Sequence, residues 1–231
     1  MKKKIGILGG FSLVSTIKYY KTITDLYFEK FKDYYYPEII INSLDFQYFT
    51  DLENEKRTEE YIHYIASSNN ALEKAGANFI IMAANSPHSV FEEVEKLSKL
   101  PIISIVDTAA KYASENRLKK TLLTGIKYTM QSDFYQKGFK KSGLEVITPN
   151  EEHQNKINDI IFNELVLDKF LDKTRKQFIE IINSYDVDGV ILACTELPLL
   201  LDQNDTQVKL LNPSLLHCEA ALQFSLKDRR D

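Results

Sequence analysis

Four apolar runs, IGIL from Ile5, FIIMA from Phe79, TLL from Thr121 and GVILA from Gly189, constrain this chain more than anything else in it. Each has the length of a strand, and none alternates with charged residues. A strand with one wet face alternates with a period of two, whereas a continuous apolar run needs cover on both faces. Such cover comes from helices above and below a parallel sheet. Strand candidates fall at 5–8, 38–43, 79–83, 102–106, 121–123, 145–148, 189–193 and 209–211, with helical patterns between them. The helix STIKYYKTITDLYFEKF opens on Ser15, a good N-cap. The patterns EYIHYIASSNNALEKAG and MQSDFYQKGFKKSG close on Gly76 and Gly143, residues suited to ending helices. This alternation predicts an open, doubly wound α/β architecture.

The pattern also repeats. KIGILGG from Lys4 resembles KTLLTG from Lys120, and each is followed by a helix and a strand opening on a glutamate, Glu38 or Glu145. A long helical stretch and a second apolar strand then complete each half. The prediction is two similar, open, mainly parallel-sheet α/β domains related by a pseudo-two-fold axis. Their expected extents are 1–99 with 208–231, and 100–207. Ligands of open α/β sheets bind beyond the carboxyl ends of the strands. The expectation is therefore one active-site cleft between the domains, lined by the loops at 9–12, 85–88, 125–129 and 194–196.

Composition narrows the function classes. Hydrophobic residues are 44% and charged residues 27% of 231, and the net charge is −4 without a basic block. That profile fits a soluble globular protein and disfavours nucleic acid as a partner. No apolar run is long enough to span a membrane, and MKKKIGILGG reads as a first strand. Cys194 and Cys218 alone make no disulfide framework, so a reduced, cytoplasmic protein is expected.

The two matched loops differ in one respect. Aligning 79–84 with 189–194 sets Ala84 opposite Cys194. Cys194 stands at a strand end before a helical ELPLL, where helix amides would favour a thiolate, so it is the first candidate for chemistry. Thr195 and Glu196 either cap that helix or take part. In AANSPH, Asn85 and Ser86 either cap the next helix or join backbone amides in holding a carboxylate, and Pro87 suits a first helical turn. His88 reads as a surface histidine unless it points into the cleft. GILGGFS lacks the third glycine of a dinucleotide fingerprint, but its backbone at Gly10 and the hydroxyl of Ser12 could meet an anion. Tyr19 and Tyr20 are expected in the core, as is Cys218. The scattered histidines at 63, 88, 153 and 217 make no metal-ligand pattern, and a reaction without metal or cofactor is expected.

Together, KIGILGG…ST…YY, AANSPH, TGIKYTMQSDFY and ACTELPLL resemble the aspartate/glutamate racemase family, in order over nearly the whole chain. The resemblance implies two facing α/β domains, a homodimer and catalysis independent of pyridoxal phosphate. It implies a cysteine on each side of the substrate, one removing the α-proton and the other returning one. Cys194 matches the second cysteine. Asn85, Ser86 and Thr195 match residues that bind the α-carboxylate, while Gly9, Gly10 and Thr129 match loops lining the site. The first cysteine falls on Ala84, Leu13 and Val14 replace a Pro-Glu pair, and Asn212 replaces an acidic residue.

Three outcomes follow from the missing cysteine. His88, Ser86 or a water could serve as a surrogate acid or base in an amino-acid racemase. A single cysteine could protonate a carbanion, as in the similar arylmalonate decarboxylase or an isomerase of that kind. The scaffold could also bind an amino acid or dicarboxylate without chemistry. An acidic substrate would need a cation, for which Arg57, Lys127, Lys169 and Arg175 are candidates.

Overall fold

The computed structural model describes residues 2–227; residue 1 and residues 228–231 of the expected first domain lie outside the described residues. The chain forms two compact units, one running to Ile105 and resuming at Ser214, the other Val106–Pro213.

In the first unit the order is β1 (Ile5–Gly9), α1 (Leu13–Phe31), β2 (Ile39–Ser43), α2 (Phe46–Asn54), α3 (Thr58–Lys74), β3 (Phe79–Met82), α4 (Phe91–Leu97) and β4 (Ile102–Ile103). The second comprises α5 (Ile105–Glu115), which starts at the unit boundary, then β5 (Lys120–Gly125), α6 (Lys127–Gln131), α7 (Phe134–Lys140), β6 (Glu145–Ile147), α8 (Glu151–Asn163), α9 (Asp172–Asn183), β7 (Gly189–Ala193), α10 (Leu197–Leu200) and β8 (Lys209–Leu211). Helix α11 (Pro213–Leu226) returns the chain to the first unit.

Each unit holds a four-stranded sheet, ordered β2-β1-β3-β4 in one and β6-β5-β7-β8 in the other. All six strand pairs are parallel, with Leu8 opposite Met82 and Gly125 opposite Ala193. The duplication read from sequence is therefore a repeat of strand order and direction. In both sheets connections leave the central pair in opposite directions, so each has its switch point between β1 and β3, or between β5 and β7.

The apolar runs are buried as the absence of alternation requires: every residue of β1, β3 and β7 is buried. One face of the first sheet packs Ile5, Ile7, Phe79 and Ile81 against Tyr19 and Ile23 of α1 and Ala221 of α11. The other packs Leu8, Ile80 and Met82 against Ile65 and Leu72 of α3. In the second unit Leu122, Val190 and Leu192 meet Ile157, Ile161 and Phe178 from α8 and α9. A large apolar side chain buried like Phe79 contributes ~2–3 kcal/mol.

Some local expectations are corrected. The run at 102–106 is not one strand: β4 ends at Ile103 and α5 begins at Ile105. Ile105, Ala109 and Ala113, with Val106 and Ala110, make a buried helical face, a spacing that a short apolar run conceals. The helix expected over MQSDFYQKGFKKSG is two helices. Between them Ser132 is extended and its hydroxyl donates to the Tyr128 carbonyl at 2.7 Å, offering the backbone an alternative to helix. The N-cap of α1 is Ser12, with Ser15 inside the helix. Tyr19 is buried, but Tyr20, one step around the helix, is exposed. Among the described residues, no helix is long and apolar enough to cross a membrane.

Gly10 turns the chain out of β1 at φ +85°, and a Cβ there would collide with the backbone of Leu44. Gly10→Ala combines an unfavourable backbone region with a clash that no rotamer relieves. It is expected to cost roughly 3 kcal/mol, read as a lower midpoint in urea unfolding.

Candidate active site

In the first unit, the loops after β1 and β3 both leave the carboxyl end of the parallel sheet. The Gly10 N–H donates to Thr16 Oγ1 at 2.9 Å, and the Thr16 hydroxyl donates to the Ser12 carbonyl at 2.9 Å. Ser12 Oγ accepts from the Ser15 amide at 3.0 Å and donates to Ser15 Oγ at 2.9 Å. The polar groups expected to meet an anion at Gly10 and Ser12 thus fasten the first turn of α1. After β3 come buried Ala83, partly exposed Ala84, and Asn85 and Ser86, both buried; a short 3-10 turn spans Ser86–Val90.

His88 corrects its sequence reading. It is 2% exposed, not a surface residue. Its Nδ1 lies 3.0 Å from the Ala84 carbonyl, and its Nε2 accepts from the Ile105 amide at 3.2 Å. Nε2 is thus the unprotonated nitrogen, and Nδ1–H donates. With both nitrogens tied to backbone, His88 braces the Ala84 loop against Ile105, and neither nitrogen is free to act as a surrogate acid or base. His217 stands edge-on to it at 5.9 Å. The Nε2–H of His217 donates to the Ile103 carbonyl at 2.8 Å, leaving Nδ1 to accept from the Tyr19 hydroxyl at 3.1 Å.

Burial, with His217 alongside, lowers His88 to about 3; burial also lowers His217 to about 4. Both stay neutral in the fold, whereas in the unfolded chain they titrate near 6.5. The unfolded state therefore binds more protons as pH falls. Stability is fully present above about 6.5 and is lost as pH drops through the window to about 4 and then 3. The expected slope is roughly 1.4 kcal/mol per pH unit per histidine. Urea midpoints at pH 7 and pH 5 check this, and His217→Gln should flatten the dependence.

In the second unit, β7 ends at Ala193 and delivers Cys194, partly exposed, into the loop. Its Sγ donates to Glu196 Oε2 at 2.9 Å, and the Thr195 hydroxyl donates to the same oxygen at 2.9 Å. Helix α10 is only four residues long. The thiol thus has a carboxylate as a hydrogen-bond partner, and Glu196 is a base within reach of the Cys194 proton. Beyond β5, Thr129 on α6 is 1% exposed and its hydroxyl has no hydrogen-bond partner. A buried hydroxyl left unsatisfied costs ~1–3 kcal/mol, a cost that a bound polar ligand would relieve.

Cys218 packs in the first unit's core at 1% exposure, and burial pushes its thiol far up. It stays protonated and inert. Three of the four cations named as anchors for an acidic side chain are already engaged. Arg57 is paired with Glu60 at 2.5 Å and Glu55 at 3.2 Å. Lys127 Nζ donates to Asn155 at 2.8 Å. Arg175 Nε donates to the Leu200 carbonyl at 2.9 Å, and Arg175 also pairs with Asp172 at 3.2 Å. Among the described residues, no group of three or more His, Cys, Asp or Glu side chains could hold a metal ion.

Sequence reasoning missed Glu53, on α2. Its Oε1 accepts from the Tyr61 hydroxyl at 3.0 Å. Burial raises this carboxyl against the lowering effect of the Tyr61 and Ser86 hydroxyls. Within DLENEKRTEE it looks like one more solvated charge; only the position of α2, directly after β2 at the sheet's carboxyl end, could have singled it out.

The sequence profile of the Asp/Glu/Hydantoin racemase family matches residues 8–221. The chain belongs to that family. It is 29% identical over 220 residues to a broad specificity amino-acid racemase of Bacillus subtilis strain 168, covering 91% of this chain and 92% of that one. A solved aspartate racemase homologue from Pyrococcus horikoshii OT3 is 38% identical and superposes with a TM-score of 0.88 over 97% of this chain and 99% of the other. A protein from Yersinia pestis described as an Asp/Glu racemase is 30% identical with a TM-score of 0.91, again over 97% and 99%. Membership in this racemase family puts the activity, at family level, among the isomerases.

Proposed function

We propose that this protein is an amino-acid racemase-like enzyme that exchanges the α-proton of a small amino acid without pyridoxal phosphate. The observation that carries this reading is the Cys194 thiol donating to Glu196 at 2.9 Å beyond the end of β7. Glu196 takes the thiol proton, and the resulting thiolate removes the α-proton; the steps reverse when the proton returns. An amino-acid α-proton is weakly acidic, so negative charge moving onto the carboxylate needs donors already in place. Asn85, Thr195 and the unpartnered Thr129 hydroxyl are suited to that task. Two-base racemisation requires a second proton carrier for the opposite face of Cα; with both His88 nitrogens held by backbone, Ser86 is the surrogate for it.

The engagement of Arg57, Lys127 and Arg175 favours a substrate whose side chain needs no dedicated guanidinium or ammonium partner from that set. A second reading rests on Ala84: a single cysteine protonating a carbanion left by decarboxylation or isomerisation. Deuterium incorporation at Cα in heavy water, followed by proton NMR for both enantiomers of aspartate, glutamate, alanine and lysine, separates the two. Incorporation with any of these supports the racemase-type reading. No incorporation with all of them would sink it and favour the decarboxylase or a binding role.

A further inference from the structure

We propose that His88 is a positioning residue: by holding the Ala84 carbonyl it sets the Ala84–Asn85 peptide plane, and through it the alignment of Asn85 toward the substrate carboxylate. The inference rests on the proton-exchange reading above, in which Asn85 is a donor to that carboxylate.

The need for such a residue begins in the sequence AANSPH. In a 3-10 turn a carbonyl is met by the amide three residues on. For Ala84 that residue is Pro87, which has no N–H. The next amide, that of His88, donates to the Asn85 carbonyl at 3.0 Å. The His88 ring meets the Ala84 carbonyl instead, with Nδ1 3.0 Å from the oxygen. A peptide unit is planar, and its C=O and N–H point in opposite directions. Fixing the Ala84 carbonyl therefore fixes the direction of the Asn85 N–H, and with it the point from which the Asn85 side chain leaves the backbone.

The ring that grips the carbonyl is itself held. The Ile105 amide can only donate, so Nε2 accepts from it at 3.2 Å and the proton stays on Nδ1. Phe91 stacks on the ring, with centroids 5.6 Å apart and planes 5° from parallel. The segment that supplies the amide is anchored from its other side. The His217 Nε2–H donates to the Ile103 carbonyl at 2.8 Å, and the Tyr19 hydroxyl donates to His217 Nδ1 at 3.1 Å. All of these groups belong to the first unit.

Two replacements separate the two bonds of the ring. His88→Asn keeps an N–H donor near the place of Nδ1 and loses the acceptor for Ile105. His88→Gln keeps an acceptor near the place of Nε2 and loses the donor to Ala84. Both are assayed well below their urea midpoints, by deuterium incorporation at Cα, with an amino acid of the panel above that the wild type exchanges. H88Q is expected to lower kcat/KM by about 100-fold, the scale of a misplaced binding group, and H88N to recover it to within about threefold of wild type. The recovery is expected even though the lost Ile105 bond lowers the H88N midpoint. Adding Pro87→Ala to H88Q returns a backbone N–H three residues after Ala84 and should restore about tenfold of the loss. A His88 that only supports the fold predicts wild-type exchange in folded H88Q, or equal losses in H88N and H88Q; either result would overturn the proposal. If H88Q does not fold, H88N decides: retained exchange supports the role of the Ala84 bond, and lost exchange overturns it. A wild-type protein that exchanges nothing would overturn the exchange reading and this role with it. A wild type that exchanges beside an equally active H88Q would overturn the His88 role alone.

Discussion

Cys194→Ala is expected to lower α-deuterium incorporation by about 10³-fold or more, with unfolding free energy changed by only about 1 kcal/mol. The two halves of that expectation come from different observations. Cys194 lies past the end of β7 and is partly exposed, so removing its sulfur opens no closed cavity in the core. Glu196 keeps the Thr195 hydroxyl as a donor, so the carboxylate is not left without a partner. The chemical loss is large because no other thiol can stand in: Cys218 is buried in the first unit's core with its thiol pushed far up. Cys194→Ser keeps a hydroxyl donor to Glu196 but replaces a thiol by a much weaker acid, and it should fall nearly as far. Exchange monitored by NMR beside a urea titration measures both quantities on one sample. Full activity in the alanine variant would remove Cys194 from the reaction altogether.

Much of the fold was legible because burial on both faces leaves a mark that survives without an alignment. The runs at Ile5, Phe79 and Gly189 are apolar at successive positions, and they became β1, β3 and β7, all fully buried. The repeat was legible for the same reason. Two sheets in the same order require the same succession of apolar and amphipathic segments. The misreading at 102–106 has the opposite cause. Ile102 and Ile103 extend the sheet, Ile105 and Val106 open a helix, and five residues are too few for either period to declare itself.

The candidate site was legible at its strand ends and opaque elsewhere. Cys194, Thr195 and Glu196 stand together because neighbours in a loop are neighbours in space, although the sequence did not reveal that the thiol would donate a hydrogen bond to the carboxylate. His88 and His217 meet across more than a hundred residues, so their pairing was invisible, and a lone histidine after a proline looked like surface. Glu53 was hidden by its own neighbourhood. In a string of acids and bases, a carboxyl that a tertiary contact buries is written with the same letter as one in water. Arg57 and Arg175 went the other way: in the sequence they looked available, but nearby acids and a carbonyl had claimed them.

Ala84→Cys is the complementary gain-of-function experiment, and it is expected to raise inversion by about 100-fold. Ala84 follows β3 as Cys194 follows β7, and both are partly exposed just beyond a buried alanine, Ala83 or Ala193. The substitution adds one sulfur atom at a position where the side chain already reaches solvent, so its packing cost is small. The Ala84 carbonyl, which receives the His88 bond, is untouched because it belongs to the backbone. What changes is acidity: a thiol titrating near 8.5 replaces a path that runs through a serine hydroxyl. Racemisation followed by circular dichroism from each enantiomer reads the effect directly. If inversion stays unchanged, Ala84 is not the counterpart of Cys194 in the reaction, and the equivalence of the two loops ends at their backbones.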